Sequence, residues 1–241
     1  MDNYYQYKEL LENALSYYYT DDEYEKYIGY VPKSRYDTFK YCLNHIHSLN
    51  YQSIIVELGT SRSFVDGRFP GCNSSDIKYW ESTNPIKWDW SAGHFTRIFS
   101  ECTPSTSILH TVDLESEHIE RCKIMTQPFS NKISYHVASS EDFLRSCKPE
   151  SIDLLYLDTG DVNPVEPTAQ LHLREAMIIV ENNILRKNGL ILIDDVKNIA
   201  SIRDANETSL LGKAKYSIPF FLKNGYVLAL NEYQVVLKKS T

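Results

Sequence analysis

Carboxylates stand at the ends of several apolar runs in this sequence and carry its most evident chemistry. Runs of apolar and β-branched residues are typical of buried parallel strands. Because the carboxyl ends of parallel strands lie on one edge of a sheet, where ligands bind, we expect these acids to converge on one crevice. The acids are Glu57, Asp113, Asp158, Asp194 and Asp195.

The positions of these acids suggest different roles. Asp113 ends the second predicted strand, where a carboxylate can accept hydrogen bonds from both hydroxyls of a ribose. Asp158, Asp194 and Asp195 would repel one another unless they share a cation. Ligands that are all oxygen favour a hard ion such as Mg²⁺ or Mn²⁺. Any one of these acids could equally be a helix cap or a loop residue, so it is the set that indicates a site.

The turn after Glu57 has the composition of a cofactor loop. Gly59 lets a ligand approach the backbone, and Thr60 and Ser61 add hydroxyl and amide donors. Glu57 can accept hydrogen bonds from an amine or from hydroxyls. The combination favours a zwitterionic, ribose-bearing cofactor over a bare phosphate, although a purely structural turn has the same pattern.

The periodicity of the chain predicts alternating strands and helices. Two amphipathic helices, over residues 4–20 and 34–49, precede the first strand. The chain ends in two short runs around Asn231-Glu232, which predict an antiparallel hairpin with a two-residue turn. We therefore expect an α/β fold with a doubly wound, mainly parallel seven-stranded sheet, a C-terminal antiparallel hairpin and N-terminal helices. The expected strands lie at 53–57, 107–113, 132–137, 151–158 and 190–193, and further helices at 91–99, 169–185 and 216–222.

Residues 62–91 interrupt this alternation with a long segment that contains Trp80, Trp88 and Trp90. Long loops without secondary structure of their own are usually functional or disordered. A lid that stacks on a sugar or aromatic substrate fits the composition, and so does a satellite hydrophobic cluster. We therefore divide the chain into an N-terminal helical cap, 1–50, and an α/β domain, 51–241, that carries the insertion.

Composition limits the function classes. The 241 residues include 25 Lys and Arg against 32 Asp and Glu, a net charge of −7, which disfavours nucleic acid as a partner. Five widely spaced cysteines form no Cys-x-x-Cys pair, so neither a disulfide framework nor a zinc site is predicted. The N-terminus is acidic and polar, unlike a signal peptide, and no apolar run is long enough to span a bilayer. We expect a cytoplasmic protein without a membrane partner.

Five segments together resemble the successive motifs of class I S-adenosylmethionine-dependent methyltransferases. The terminal hairpin matches the reversed last strand of that class, and the resemblance covers about residues 53–239. Within the class, the aspartates at 158, 194 and 195 are most similar to those of metal-dependent O-methyltransferases that act on catechols or on sugars. The segments are Val-Glu-Leu-Gly-Thr-Ser at 56–61, Thr-Val-Asp-Leu at 111–114, Ser-Ser-Glu-Asp-Phe-Leu at 139–144, Asp-Leu-Leu-Tyr-Leu-Asp at 153–158 and Leu-Arg-Lys-Asn-Gly-Leu-Ile-Leu-Ile-Asp-Asp at 185–195.

The resemblance implies a Rossmann-like methyltransferase domain and assigns roles to residues. The turn after the first strand would line the methionine end of S-adenosylmethionine, Asp113 would hold the ribose, and Ser139 and Ser140 would lie near the adenine. It also places Mg²⁺ or Mn²⁺ on Asp158, Asp194 and Asp195. The implied cofactor-binding residues are Glu57, Gly59, Thr60, Ser61, Asp113, Ser139, Ser140 and Asp158.

The sequence departs from the family pattern in the loop and at the base. The usual loop has a second or third glycine where this chain has Thr60, Ser61 and Ser63. Catechol-type enzymes carry a lysine base just after the first metal aspartate, whereas this chain reads Asp-Thr-Gly-Asp at 158–161. The candidates for the base are Asp158, Asp161, His172 and His94, and a structural role is the simpler interpretation of each histidine.

The expected reaction is methyl transfer to a hydroxyl of a small molecule, assisted by a divalent metal that acidifies and positions that hydroxyl. A sugar is favoured over a phenol because the metal motif is of the sugar type and tryptophans stack on sugar faces. Three alternatives stay open: a metal-free N- or carboxyl-methyltransferase, a nicotinamide oxidoreductase without the usual Gly-x-Gly-x-x-Gly, and a non-catalytic cofactor-binding or scaffold protein. A homodimer is compatible with the sequence.

Overall fold

The structure is a computed structural model, and it describes residues 36–60, 95–161, 164–196 and 212–240. Strands and helices alternate along these ranges as the sequence predicts. The strands are β1 Ile54–Leu58, β2 Ile108–Asp113, β3 Ile133–Val137, β4 Ile152–Leu157, β5 Leu185–Ile193, β6 Tyr226–Asn231 and β7 Val235–Lys239. The helices around them are α1 Tyr36–Ser48, α2 Phe95–Cys102, α3 Ser116–Thr126, α4 Ser140–Ser146, α5 Val165–Glu181 and α6 Ser217–Lys223, with a 3₁₀ helix at Gln127–Lys132.

The seven strands form one sheet in the order β3-β2-β1-β4-β5-β7-β6. The first five strands are parallel, and β7 pairs antiparallel with both β5 and β6. The chain runs outward from β1 through β2 to β3, then crosses to β4 on the other side of β1. Strand order reverses there, between β1 and β4, which is where open α/β sheets bind ligands. This confirms the predicted doubly wound fold with its terminal hairpin.

Alternation along the strands builds two apolar layers, one on each face of the sheet. In β4, Leu155 and Leu157 pack into the layer that includes α5 and α6. Leu154 and Tyr156 pack into the opposite layer, which includes α1 and α2. All four side chains are at most 1% exposed. A strand covered on both faces needs an apolar side chain at nearly every position, which explains the apolar run at 154–157.

The observed boundaries differ from the predicted ones at α5 and β5, in the hairpin, and at α2, which ends at Cys102, three residues later than predicted. Helix α5 runs over Val165–Glu181, four residues earlier than predicted, and Asn183 turns the chain with φ +50°. The Lys-Asn-Gly at 187–189 therefore lies inside β5, whereas the sequence indicated a helix end there. In the hairpin, Asn231 pairs with Val235, so three residues connect the strands and the predicted two-residue turn is wrong.

Two predicted features lie outside the described residues: the helix over 4–20 and the tryptophan-rich insertion at 62–91. The predicted second helix is confirmed as α1. Among the described helices, none has the length and apolar character needed to cross a bilayer.

We expect the core of β4 to dominate stability. Leu155 is fully buried and Leu228, in edge strand β6, is 49% exposed. Leu155→Ala should lower the free energy of unfolding by about 2–5 kcal/mol, because it leaves a cavity between packed layers. Leu228→Ala, the matched control in a strand, should change it by less than about 0.5 kcal/mol. Urea denaturation measures both, and equal losses would contradict the layer assignment.

Candidate functional site

The carboxyl ends of the central strands are held in register by backbone hydrogen bonds beyond the strands themselves. The Gly59 amide donates to the Val112 carbonyl at 2.9 Å, and the Asp158 amide to the Leu58 carbonyl at 2.9 Å. The Asp194 amide donates to the Leu157 carbonyl at 3.1 Å. These bonds bring the residues that follow β1, β2, β4 and β5 to one edge, as the sequence predicts.

The backbone conformation and the close packing at this edge both require a glycine at position 59. Its φ of +84° lies in the left-handed region, which favours glycine. A Cβ on Gly59 would lie 2.5 Å from the Asp158 carbonyl oxygen and 2.8 Å from its carbonyl carbon. The turn after β1 and the end of β4 therefore touch backbone to backbone, which fixes the distance between the predicted cofactor loop and Asp158.

Asp113 closes the turn from the other side. Its Oδ2 accepts a hydrogen bond from the Thr60 amide at 2.9 Å, and its Oδ1 accepts from the Glu115 amide at 2.9 Å and from His118 Nδ1 at 3.0 Å. Burial alone would raise the pKa of Asp113, but the bonds from His118, Glu115 and Thr60 outweigh it and lower the pKa. Asp113 is thus an ionised acceptor at the position expected for a ribose contact.

Glu57 is the most deeply buried acid of the edge, with no exposed surface. Its Oε2 accepts hydrogen bonds from the hydroxyls of Thr96 and Thr111, the latter at 2.7 Å. Burial raises the pKa of Glu57 to about 8, against the lowering effect of the bonds from Thr96, Thr111 and Thr60. Within the described chain, Glu57 Oε1 and Thr60 Oγ1 are buried and make no hydrogen bond of normal geometry. The Glu57 carboxyl is therefore neutral at physiological pH and retains an unused polar atom beside the turn.

The three remaining acids form a cluster around a lysine. Asp158, Asp194 and Asp195 each offer an oxygen within 4.8 Å of the others. The Lys213 ammonium lies 2.8 Å from Asp158 Oδ1 and 3.1 Å from Asp195 Oδ2, and donates to the Gly160 carbonyl at 3.3 Å. Burial would lower the pKa of Lys213, but Asp158, Asp195 and Asp194 together raise it. These carboxylates therefore favour the charged form of Lys213, which lies against Asp158 and Asp195.

A second polar network supports the cluster from the aromatic layer. The Gln234 amide nitrogen lies 3.0 Å from Asp194 Oδ1 and 3.2 Å from the Tyr156 hydroxyl, which in turn donates to Asp158 Oδ2 at 3.3 Å. Tyr233 donates a hydrogen bond to Asp195 Oδ1. Residues from the hairpin thereby hold the carboxylates in place.

The described residues do not fit a divalent ion shared by all three carboxylates while Lys213 is in this position. Three carboxylates are a suitable donor set for Mg²⁺ or Mn²⁺. However, an ammonium has three N–H donors, and three oxygens within 2.8–3.3 Å of Nζ receive them. An ion bridging Asp158 Oδ1 and Asp195 Oδ2 would lie directly against this positive charge.

His172 and Glu175 lie beneath the edge on α5. His172 Nε2 donates to the Thr159 carbonyl at 3.0 Å, and the Thr159 hydroxyl donates to Glu175 Oε1 at 2.9 Å. Burial and the charge of Lys213 lower the pKa of His172 to about 3, so the ring is neutral. With no exposed surface, His172 cannot contact an acceptor here, and the geometry supports a positioning role for it rather than the predicted role as base.

Of the other predicted site residues, two lie at the start of α4, one is exposed, and two lie outside the described residues. Ser139 caps α4 by accepting a hydrogen bond from the Asp142 amide at 3.1 Å, and Ser140 is the first residue of that helix. Asp161 is exposed at the edge. Ser61 and His94 lie outside the described residues.

Several site residues were not identified from the sequence. Lys213 follows a stretch without periodic pattern, so nothing local indicates that it reaches the acids. Thr111 could have been found, because the register pairs it with Glu57 across β1 and β2. The sequence predicts Tyr233 and Gln234 as part of the last strand, and nothing in that prediction indicates their contacts with Asp195 and Asp194, which depend on β7 lying beside β5.

Comparison with known proteins supports the fold. By sequence, no protein-family model matches the chain, and no curated relative does either. Among solved structures, a Corynebacterium glutamicum protein is 12% identical with a TM-score of 0.56, covering 97% of both chains. The SAH-bound methyltransferase of Podospora anserina is 13% identical with a TM-score of 0.55, covering 100% of this chain and 88% of its own. An SAH complex of a candidate methyltransferase from Streptococcus mutans is 10% identical with a TM-score of 0.51, covering 87% and 99%. The chain thus has the Rossmann-like fold of class I methyltransferases.

A substitution at Gly59 tests the backbone contact. Gly59→Ala should destabilise the protein and abolish the S-adenosylmethionine binding that the sequence predicts for this turn, because the new Cβ would meet the Asp158 carbonyl. Gly225→Ala is a matched control, since Gly225 has φ +83° but nothing within 4 Å of its Cβ position. It should cost only the left-handed strain of about 1–2 kcal/mol. Thermal unfolding measures the loss of stability, and calorimetric titration with S-adenosylmethionine measures the loss of binding. Equal losses in Gly59→Ala and Gly225→Ala would contradict the backbone contact.

The protonation of Glu57 predicts a pH dependence. Folding raises the pKa of Glu57 from 4.5 to about 8, so between these values the folded state holds a proton that the unfolded state has lost. The contribution of Glu57 to stability therefore falls as the pH rises through this window. Glu57→Gln keeps the neutral shape and should gain stability relative to the wild type from about pH 5 to pH 8, by at most about 1.4 kcal/mol per pH unit.

Urea denaturation at successive pH values measures this difference. Glu232→Gln, in the exposed hairpin turn, serves as the control and should follow the wild type. A constant difference between Glu57→Gln and the wild type would show that Glu57 is ionised in the folded protein.

Proposed function

We propose that this chain transfers a methyl group from S-adenosylmethionine to a hydroxyl of a small molecule. The observation that supports it most directly is the junction of β1 and β2, where the Thr60 amide donates to Asp113 at 2.9 Å. The junction lies beside the switch point between β1 and β4, in a sheet whose fold is shared with methyltransferases. A glycine turn joined to an ionised acid in this way suits a nucleoside with a charged tail.

The nucleoside end of the cofactor is assigned to Asp113 and its neighbours. A carboxylate has about four lone-pair sites, and Oδ2 of Asp113 receives one bond from the chain while Oδ1 receives two. One ribose hydroxyl can therefore bind at Oδ2, and a second would compete with His118 at Oδ1. Leu114 follows, 68% exposed, as an apolar surface for the adenine ring. The proposed adenine contacts of Ser139 and Ser140 remain a prediction from the sequence.

The methyl and acceptor ends are assigned to the acids after β1 and β4. S-adenosylmethionine supplies an electrophilic methyl group on a sulfonium centre, so that a C–O bond forms as the C–S bond breaks and the acceptor proton passes to a base. Asp158, partly exposed at the edge, and Asp161, exposed, are the described candidates for that base. Glu57, neutral and buried, holds the loop in place through Thr111 and Thr96.

Metal assistance and a sugar acceptor stay predictions from the sequence. The three carboxylates favour a metal, and the Lys213 ammonium among them favours a metal-free reaction, so no step of the proposed reaction passes through a metal. The sugar preference depends on the tryptophans at 62–91, outside the described residues. A metal-free N- or carboxyl-methyltransferase is the second candidate, and Lys213 is the observation that favours it.

Calorimetric titration with S-adenosylmethionine is the direct test. The wild type should bind it, and should bind NADH far more weakly. Asp113→Asn should weaken binding by about tenfold or more, since a charged acceptor of a ribose hydroxyl is lost. Glu120→Gln, an acid on α3 whose side chain is 64% exposed, is the control and should bind as the wild type does.

Transfer itself is tested with a methyl-labelled cofactor and a panel of hydroxylated, amino and carboxylate acceptors. Label in a hydroxylated product supports the proposal, and label only in amines or acids supports the second candidate. A wild type that does not bind S-adenosylmethionine would overturn the proposal.

A further inference from the structure

We propose that Lys213 is the resident cation of the acid cluster, so that its ammonium takes the place of a divalent metal and the protein needs none. The inference rests on the proposed function for its relevance to methyl transfer. Its physical basis is independent, since it concerns only which cation offsets the negative charge of Asp158, Asp194 and Asp195.

The contacts of Lys213 are those of a built cation site. The side chain is 1% exposed, and its Nζ lies 2.8 Å from Asp158 Oδ1, 3.1 Å from Asp195 Oδ2 and 3.3 Å from the Gly160 carbonyl oxygen. A buried lysine is costly unless its charge is paired and its N–H groups are satisfied. Here two carboxylates pair the charge and, with a carbonyl, accept the three N–H groups. The buried position of the ammonium is therefore stable.

The backbone also fixes Lys213 in this position. The preceding residue, Gly212, has φ +45°, and a Cβ there would collide with the carbonyl oxygen of Asp195. Asp195 itself has φ +54°. The turn that carries Lys213 therefore packs backbone to backbone against one of the acids that it neutralises, which leaves the side chain a short and defined path to the cluster.

The exchange of a metal for an ammonium changes what the cluster can do. A divalent ion with an open coordination position binds an acceptor oxygen directly and lowers its pKa. The three N–H groups of Lys213 are directed to Asp158, Asp195 and Gly160, so the ammonium offers no such position. Its role is to keep Asp158 ionised and oriented, and the acceptor proton must then pass to a side chain.

Mn²⁺ binding to the complete chain tests this directly, by electron paramagnetic resonance without S-adenosylmethionine. We expect the wild type to bind no Mn²⁺ at the cluster up to the highest concentration titrated, and Lys213→Met to bind it with a Kd at least about tenfold below that concentration, because the carboxylates lose their cation. Mn²⁺ should also raise the Tm of Lys213→Met and leave that of the wild type unchanged. Lys215→Met, a nearby lysine paired with Glu166 at the surface, is the control and should behave as the wild type.

Several results would overturn the inference. One is stoichiometric Mn²⁺ binding by the wild type that Asp194→Asn removes. Another is a Lys213→Met protein that folds and gains no affinity for Mn²⁺. If Lys213→Met does not fold, Lys213→Arg keeps the charge, and its folding without metal is expected, while a requirement for Mn²⁺ to fold would contradict the proposal.

Cofactor binding in chelator separates this inference from the proposed function. S-adenosylmethionine binding that is unchanged by chelator supports both. Binding that requires Mg²⁺ or Mn²⁺ keeps the proposed function and overturns the role of Lys213. Absence of cofactor binding, with no Mn²⁺ bound by the wild type, overturns the function alone.

Discussion

Compensation of buried negative charge is the constraint on which the carboxyl edge of this sheet depends. Four strands deliver acids to one edge, where water is partly excluded and like charges cannot all persist unpaired. The structure answers this in three ways. Glu57 takes up a proton, Asp113 accepts hydrogen bonds from backbone amides and a histidine, and the acids after β4 and β5 surround a lysine. The edge therefore carries a neutral carboxyl at Glu57, a hydrogen-bonded carboxylate at Asp113 and carboxylates paired with an ammonium after β4 and β5.

The aromatic layer and the site are parts of one structure. The Tyr156 ring stacks on Phe95 at a centroid distance of 4.5 Å, while its hydroxyl lies between Gln234 and Asp158. The ring gains burial in the layer formed with α1 and α2, and the hydroxyl obtains partners among the acids. Packing that fixes the Tyr156 ring therefore also fixes the position of the Asp158 carboxylate. The geometry of the site thus depends on how tightly the aromatic layer is packed.

Sequence reasoning succeeded where a local pattern carries the information. The strand runs and their terminal acids predicted the sheet, its hairpin and the convergence of Glu57, Asp113 and Asp158 on one edge. It placed Gly189 after a helix because lysine, asparagine and glycine usually mark a helix end, whereas pairing with β4 extends β5 through it. Lys213 could not be predicted, because its position depends on tertiary contacts with Asp195 and not on the composition around it.

The bond from the Thr38 hydroxyl to the Gln234 side chain joins residues 196 positions apart in the sequence. Gln234 in turn reaches Asp194 and Tyr156, so the acid cluster is complete only when both ends of the described chain have docked. Contacts between such distant residues form late in folding, because closing a long loop costs entropy before any contact offsets it. A partly folded or C-terminally truncated chain would therefore lack an ordered cluster even where its central strands have paired. The ordered acid cluster is therefore a sign that the chain has completed its folding.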